Sequence, residues 1–185
     1  MFAITERLLL RPGWTEDAPA LSAAIGDEAI LTKLARAPSP YRMADAEDYL
    51  ARPRGEGEAD FLIFALGDGR RLIGGVGLAP DAERGAMELG YWIARPYWGL
   101  GYATEAARAV VAIARDTLRL KRLVSGHFTD NPASGRVLAK LGFQPTGEIV
   151  ARMSRARGRA VPCRLLEADL DGIADTPMPE RALAA

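Results

Sequence analysis

Apolar residues in this chain follow two spacings, and the places where one gives way to the other outline its elements. Phe61-Leu62-Ile63-Phe64-Ala65-Leu66 and Arg71-Leu72-Ile73-Gly74-Gly75-Val76-Gly77-Leu78 are short apolar runs on either side of Gly67-Asp68-Gly69, which predicts a β-hairpin. Met87-Glu88-Leu89-Gly90-Tyr91-Trp92-Ile93 adds a third consecutive strand, bounded by Pro96. The period then changes. From Gly101 to Leu118 the apolar residues stand at 103, 106, 107, 110, 111, 114 and 118, the spacing of an amphipathic helix. Leu123 to Phe128 returns to a strand. Asn131-Pro132 predicts a helix start with a cap and a first-turn proline, Val137, Leu138 and Leu141 share one face, and Gly142 closes the helix.

The ends are less regular. Thr5 to Arg11 alternates weakly up to Pro12-Gly13 and predicts a strand. Thr15, followed by Glu16 and Asp17, predicts the cap and acidic first turn of a helix reaching about Gly26. Residues 27 to 59 are broken by Pro38, Pro40, Pro53, Gly55 and Gly57, with one short helix expected near Asp45 to Ala51. Two last strands, near Glu148 to Ser154 and Val161 to Asp169, flank an arginine-rich loop. Residues 1–170 are expected to form a single domain of mixed α/β (α+β) class, with 171–185 as a flexible tail.

Composition narrows the class. The 185 residues are 49% hydrophobic and carry 24 basic and 24 acidic side chains, an ordinary globular balance. Cys163 and His127 are the only residues of their types, so neither an internal disulfide nor a His-pair metal site is expected, and no metal is assigned. No apolar run is long enough to span a bilayer, and the start of the chain is too charged for a signal peptide. A cytoplasmic protein without membrane contact, a monomer or homodimer, is the expectation. The zero net charge is unevenly distributed: residues 1–94 sum to −5, residues 95–164 to +9 and residues 165–185 to −4. A basic stretch of that kind suits a polyanionic ligand, or else it is solvated surface.

The candidate chemistry sits where the third hairpin-region strand gives way to the long helix. Arg95-Pro96-Tyr97-Trp98-Gly99-Leu100-Gly101-Tyr102-Ala103-Thr104-Glu105 places two glycines just before a helix N-terminus, whose unpaired amides and positive dipole end hold phosphate oxygens. A tight turn alone would explain the same glycines. A dinucleotide fingerprint fails, because Thr104 stands where its third glycine belongs, and a P-loop fails for want of Gly-Lys-Ser/Thr.

Three segments in order, Thr5-Glu6-Arg7-Leu8-Leu9-Leu10-Arg11-Pro12, Glu88 to Ile93 running into Gly99 to Ala106, and Asn131-Pro132-Ala133-Ser134 running to Leu141-Gly142-Phe143, resemble the GNAT superfamily of acetyl-CoA-dependent N-acetyltransferases. The branch they are most similar to includes the ribosomal-protein N-terminal acetyltransferases, and the likeness covers about residues 5–169. It implies a central mixed, mostly antiparallel sheet of about seven strands, splayed between the fourth and fifth, flanked by about four helices, with acetyl-CoA as cosubstrate in the opening. Pro96 departs from the Gln or Arg usual at that point of the family's phosphate loop and removes one possible amide donor.

Direct transfer to an amine needs a polarised thioester carbonyl, an unprotonated amine and a protonated leaving thiolate. The resemblance implies that the diphosphate lies on the amides of Trp98, Gly99, Leu100, Gly101, Tyr102 and Ala103, and that a backbone amide near Trp92 or Ile93 holds the carbonyl. Glu88 occupies the place of a carboxylate that collects the amine proton; a charged residue on an exposed strand face is the alternative. Ser134 matches a hydrogen-bond or proton donor to sulphur, although a first-turn hydroxyl serving local amides would look the same. Asn131 is suited both to cap its helix and, by resemblance, to contact the pantetheine arm. His127 is expected to fill an ordinary strand position, an imidazole base being the alternative, and Cys163 to be a buried small hydrophobe. The implied acceptor is a primary amine on a small molecule or a protein N-terminus. A non-catalytic acyl-CoA-binding module is the competing function, and nucleic-acid binding through Arg152, Arg155, Arg157 and Arg159 is disfavoured by zero net charge and by the lack of interleaved aromatics. Those four arginines, expected on a loop beside the acceptor, should disfavour polyamines.

Overall fold

In the computed structural model, which describes residues 1–171 apart from positions 56 and 68, the strands join one eight-stranded sheet in the order β1-β2-β3-β4-β5-β6-β8-β7. The elements are β1 (Ala3–Ile4), β2 (Leu8–Arg11), α1 (Ala18–Ile25), α2 (Glu28–Leu31), α3 (Met43–Ala51), β3 (Ala59–Ala65), β4 (Leu72–Asp81), β5 (Ala86–Ile93), α4 (Tyr102–Asp116), β6 (Arg122–Phe128), α5 (Pro132–Lys140), β7 (Gln144–Ser154) and β8 (Arg159–Asp169). Every neighbouring pair is antiparallel except β5–β6.

The near-continuous apolar run of β3 is explained by cover on both faces. Phe61 and Ile63 pack with α4 residues Ala106, Ala107 and Val110, whereas Leu62 and Phe64 pack with Leu21, Ile25, Ala46 and Leu50 of α1 and α3. Alternate side chains of a strand point to opposite faces, so a central strand buried on both sides loses its polar alternation. Leu8, Leu10, Ile63, Ile73 and Leu123 are fully buried, each stabilising the fold by about 1.5–3 kcal/mol. Gly75 is needed for close approach: a Cβ there would stand 2.5 Å from the Trp92 ring nitrogen.

The fold class and the splayed sheet are as expected, with local differences. The first strand is two, β1 and β2, because Thr5–Arg7 turns back, with the Thr5 amide donating to the Leu8 carbonyl at 2.9 Å. This raises the strand count from about seven to eight. A fifth helix, the short α2, forms inside the broken region because the Asp27 carboxylate accepts from the Ala29 amide at 2.8 Å. Thr15 is not a cap but the first residue of a 3-10 turn (Thr15–Asp17), which Asp17 fastens by accepting from the Trp14 amide at 2.8 Å. β7 starts earlier than expected, at Gln144, and ends at Ser154 as expected, while β8 starts two residues early at Arg159; Arg152 and Arg159 therefore lie in strands, not on the loop, and 155–158 form the turn. Asp68 of the β3–β4 turn and positions 172–185 of the expected tail lie outside the described residues.

Candidate functional site at the opening between β5 and β6

The parallel contact between β5 and β6 consists of two rungs, Met87 with Leu123 and Glu88 with Val124. Ser125, almost wholly buried, then donates its hydroxyl to the Leu89 carbonyl at 2.9 Å, and beyond it the strands part. On its other edge β5 stays paired with β4 as far as Ile93 opposite Gly74. The Ala94 amide donates to Ile73 on the β4 side, while Leu89 faces β6, so alternation turns the Trp92 amide into the β4 ladder and leaves those of Tyr91 and Ile93 facing the opening. Of the two residues expected near the carbonyl, Ile93 offers an amide there. The Trp92 ring lies over Gly75 and packs with the α1–α3 cluster.

The strand end feeds a short 3-10 turn, Arg95–Tyr97, and then the glycine loop. Gly99 and Gly101 have φ of +77° and +85°, the left-handed region that side chains resist. A Cβ at Gly99 would meet nothing within 4 Å, and one at Gly101 only Nη2 of Arg7 at 3.5 Å. Gly101 is the N-cap of α4 and provides no side chain to it, so no cap hydrogen bond closes the first amides of the helix, and the space around Gly99 is open. A diphosphate fits such a cradle. Trp98 fixes the near wall by donating its indole N–H to the Ile93 carbonyl at 2.6 Å, and Trp98 and Leu100 are largely exposed.

Sequence reasoning missed what holds this loop. The Glu105 carboxylate accepts from the Thr5 hydroxyl at 2.6 Å, the Arg7 amide at 2.9 Å and Nε of Arg7 at 2.7 Å. Arg7 also donates to the Leu100 carbonyl at 3.1 Å and stacks over Tyr102, 4.5 Å from the ring centre. Burial pushes the Glu105 carboxyl up, but these donors outweigh it and hold the group below its ordinary value. Arg7, on the turn that splits the first expected strand, therefore places a guanidinium beside the cradle.

Ser134, the third residue of α5, faces Tyr91 across the opening: the tyrosine hydroxyl lies 2.8 Å from the serine hydroxyl and donates to the Ser134 carbonyl at 3.0 Å. Burial pushes the Tyr91 phenol up to about 12, against the effect of the serine contact. Asn131 stands at the N-cap of α5, but its side chain makes no cap hydrogen bond, contrary to one of its two expected roles, because its backbone lies outside the extended region that caps use. His127 packs its ring against Gly135, where a Cβ would come 2.8 Å from Nε2. Cys163 is buried, and burial raises its thiol.

Glu88 is not a free carboxylate. Its Oε1 is held by Arg152 and, at 3.4 Å, by Arg84, and its Oε2 by Arg36 at 3.4 Å. Arg84 and Arg152 also bridge Asp81, at 2.8 and 3.5 Å. Two of the other expected loop arginines are also engaged: Arg157 pairs with Asp130 at 2.6 Å and donates to the Thr32 carbonyl at 2.7 Å, and Arg155 donates to the Arg36 carbonyl at 3.4 Å, whereas Arg159, at the start of β8, is exposed. Arg36 is the open guanidinium of those that hold Glu88, its side chain 69% exposed.

With this geometry in hand, the comparisons are decisive on family. Residues 7–144 match the model of the acetyltransferase (GNAT) domain. The chain belongs to the GNAT acetyltransferase family. It is 29% identical over 161 residues, 85% of this chain and 89% of the relative, to an uncharacterised N-acetyltransferase, p20, of Bacillus licheniformis. Among solved structures, a GNAT-family acetyltransferase of Bacillus anthracis superposes with a TM-score of 0.79 at 20% identity, covering 92% of this chain and 99% of that one. A putative ribosomal-protein-serine acetyltransferase of Vibrio cholerae gives 0.71 at 19%, covering 91% and 97%. The microcin C7 self-immunity acetyltransferase, solved with acetyl-CoA and AMP, gives 0.75 at 17%, covering 89% and 93%. Among the described residues of this GNAT chain, no helix is long and apolar enough to cross a membrane, and no group of three His, Cys, Asp or Glu could hold a metal ion.

Proposed function

We propose that this chain is a cytoplasmic N-acetyltransferase that moves the acetyl group of acetyl-CoA directly to a primary amine on a small molecule or a protein N-terminus. The observation that carries the reading is the conjunction of two backbone features: β5 and β6 part after two rungs, and the uncapped N-terminus of α4 opens beside that gap. The amides of residues 99–103 hold the diphosphate, with Arg7 adding charge next to Gly101; the amide of Trp98, expected among them, instead donates to the Arg95 carbonyl at 3.2 Å, closing the 3-10 turn. The side chain of Asn131, free of capping, meets the pantetheine arm. The amide of Ile93 polarises the thioester carbonyl where negative charge develops.

Ser134 supplies the hydrogen bond that the departing sulphur needs. Glu88 collects the amine proton through water, and the opening is on the side of Arg36, whose 3.4 Å contact is among the loosest of the three. The wholly non-catalytic alternative is distinguished by turnover. Acetyl-CoA is mixed with spermidine, glutamate or a Ser-Asp-Glu tripeptide, and CoA thiol is followed with a disulfide reagent. Thiol release that depends on an amine and falls about tenfold or more in Ser134→Ala, with acetyl-CoA affinity kept, is the expected result. Tight acetyl-CoA binding with no release above the uncatalysed rate on any amine would refute the transfer.

A further inference from the structure

We infer that Tyr91 is a positioning residue for Ser134, its hydroxyl reaching across the gap between β5 and α5 to set the direction of the serine hydroxyl. The inference rests on the proposed acetyl transfer and on Ser134 as the hydrogen-bond donor to sulphur.

One assignment of protons lets both contacts form at once. The Ser134 carbonyl can only accept, and Tyr91 has one proton; its hydroxyl lies 3.0 Å from that carbonyl and 2.8 Å from the serine hydroxyl. With the tyrosine proton on the carbonyl, the serine proton rests on the tyrosine oxygen. A serine at the start of a helix otherwise samples three rotamers and turns to local backbone or water. Here one rotamer is selected by an oxygen fixed from the other side of the opening.

That oxygen is itself well anchored. The Tyr91 ring packs against the main core, and its strand is pinned to β4 through Val76. The serine end is equally fixed: the Ser134 amide donates to Asn131 at 3.2 Å, and the next residue, Gly135, abuts the His127 ring. When charge grows on sulphur, a rotation about the serine Cβ–Oγ bond moves its hydrogen from tyrosine to sulphur. The tyrosine hydrogen then swings from the Ser134 carbonyl to the serine oxygen, from which the tyrosine oxygen no longer accepts. Burial keeps the phenol protonated throughout, at about 12, so Tyr91 delivers hydrogen bonds and gives up no proton. No bond to carbon is made or broken by either side chain.

The test is a double-mutant cycle of Tyr91→Phe and Ser134→Ala, which leaves the ring and its packing in place. CoA thiol release is measured with the Ser-Asp-Glu tripeptide and with water alone as acceptor, and melting temperatures are recorded in parallel. Tyr91→Phe should lower kcat by roughly tenfold while leaving KM for acetyl-CoA unchanged, and it should cost nothing further in the Ser134→Ala background. If Ser134→Ala is slow but Tyr91→Phe turns over like wild type, even with a lowered melting temperature, Tyr91 is a structural tie and the inference fails while the proposed function stands. Equal losses from Tyr91→Phe in both backgrounds would also overturn it, since Tyr91 would then act without Ser134. Wild-type kcat in Ser134→Ala would remove the serine's role, and with it this inference.

Discussion

Replacing Gly101 by Asp should separate ligand binding from folding at a single position. With φ of +85°, Gly101 sits where most side chains cost about 1–2 kcal/mol, although Asp and Asn tolerate the region better than others. Space is available, since a Cβ would meet only the far end of Arg7 at 3.5 Å. The position is also the N-cap of α4, where a carboxylate interacts favourably with the helix dipole by about 0.3–1 kcal/mol. The two effects oppose each other, so the melting temperature should move by less than about 4 °C in either direction. For a bound diphosphate the balance is different. A carboxylate about 5 Å from one phosphate charge repels it by roughly 1 kcal/mol in water and 3 kcal/mol at an effective dielectric of 20, and the exposure of Trp98 and Leu100 places this loop between those limits. The dissociation constant for CoA should therefore rise about 5- to 150-fold. Gly101→Asn, similar in shape and uncharged, isolates the bulk. By calorimetry at low salt, Asp should bind CoA more weakly than Asn, and the difference should shrink at high salt. If Asp, Asn and glycine bind CoA alike, the diphosphate does not lie on these amides.

Three further outcomes follow from side-chain partners. Glu88→Gln should flatten the alkaline-rising limb of the pH–rate profile, and an unchanged limb would leave Glu88 as an organiser of Arg36, Arg84 and Arg152 alone. Glu105 is half-buried yet held below its ordinary value by Thr5 and Arg7, so it stabilises the fold above the usual carboxylate range and that contribution is lost as pH falls through the folded-state value; acid unfolding followed by circular dichroism should be less steep in Glu105→Gln, whose stability near neutral pH should be lower. In an acceptor screen at low ionic strength, amines next to carboxylates should outperform spermidine, and Arg36→Ala should narrow the gap; a preference for spermidine in the wild type would show that Arg36 does not select charge.

The parts of the fold visible in the sequence are those whose cause is local. The hairpin around positions 67–69, the period of α4 and the proline-led start of α5 each depend on residues within one or two turns of each other. The cradle was visible for the same reason, because an uncapped helix start preceded by two glycines is a local pattern. The short α2 was hidden among prolines, although Asp27 followed by Glu28 carried its cap signal. Tyr91 lay within the family motif and gave no sign of its partner, since Ser134 is 43 positions away.

The arginines show where sequence reasoning stops. A count along the chain makes residues 95–164 strongly basic, and four arginines within eight positions look like an exposed cluster waiting for an anion. The sheet order decides otherwise. Placing β8 between β6 and β7 carries the last hairpin back over the 32–36 segment, so Arg152 meets Glu88, Arg157 meets the Thr32 carbonyl, and the Arg155 amide donates to Ala35 at 3.0 Å. Arg95 likewise reaches Asp27 at 3.4 Å, while the reverse pairing of Arg7 with Glu105 ties the first turn to α4. Arg95 and Arg152 of the basic stretch thus pair with carboxylates of the acidic first half, across elements that are distant in the chain. Of the arginines around the site, Arg36 stays open to a ligand, its side chain 69% exposed against a 3.4 Å contact, whereas Arg7, although beside the cradle, is clasped by Glu105 and the Leu100 carbonyl. Only a structure tells an open guanidinium from a clasped one, because along the sequence all of the arginines look alike.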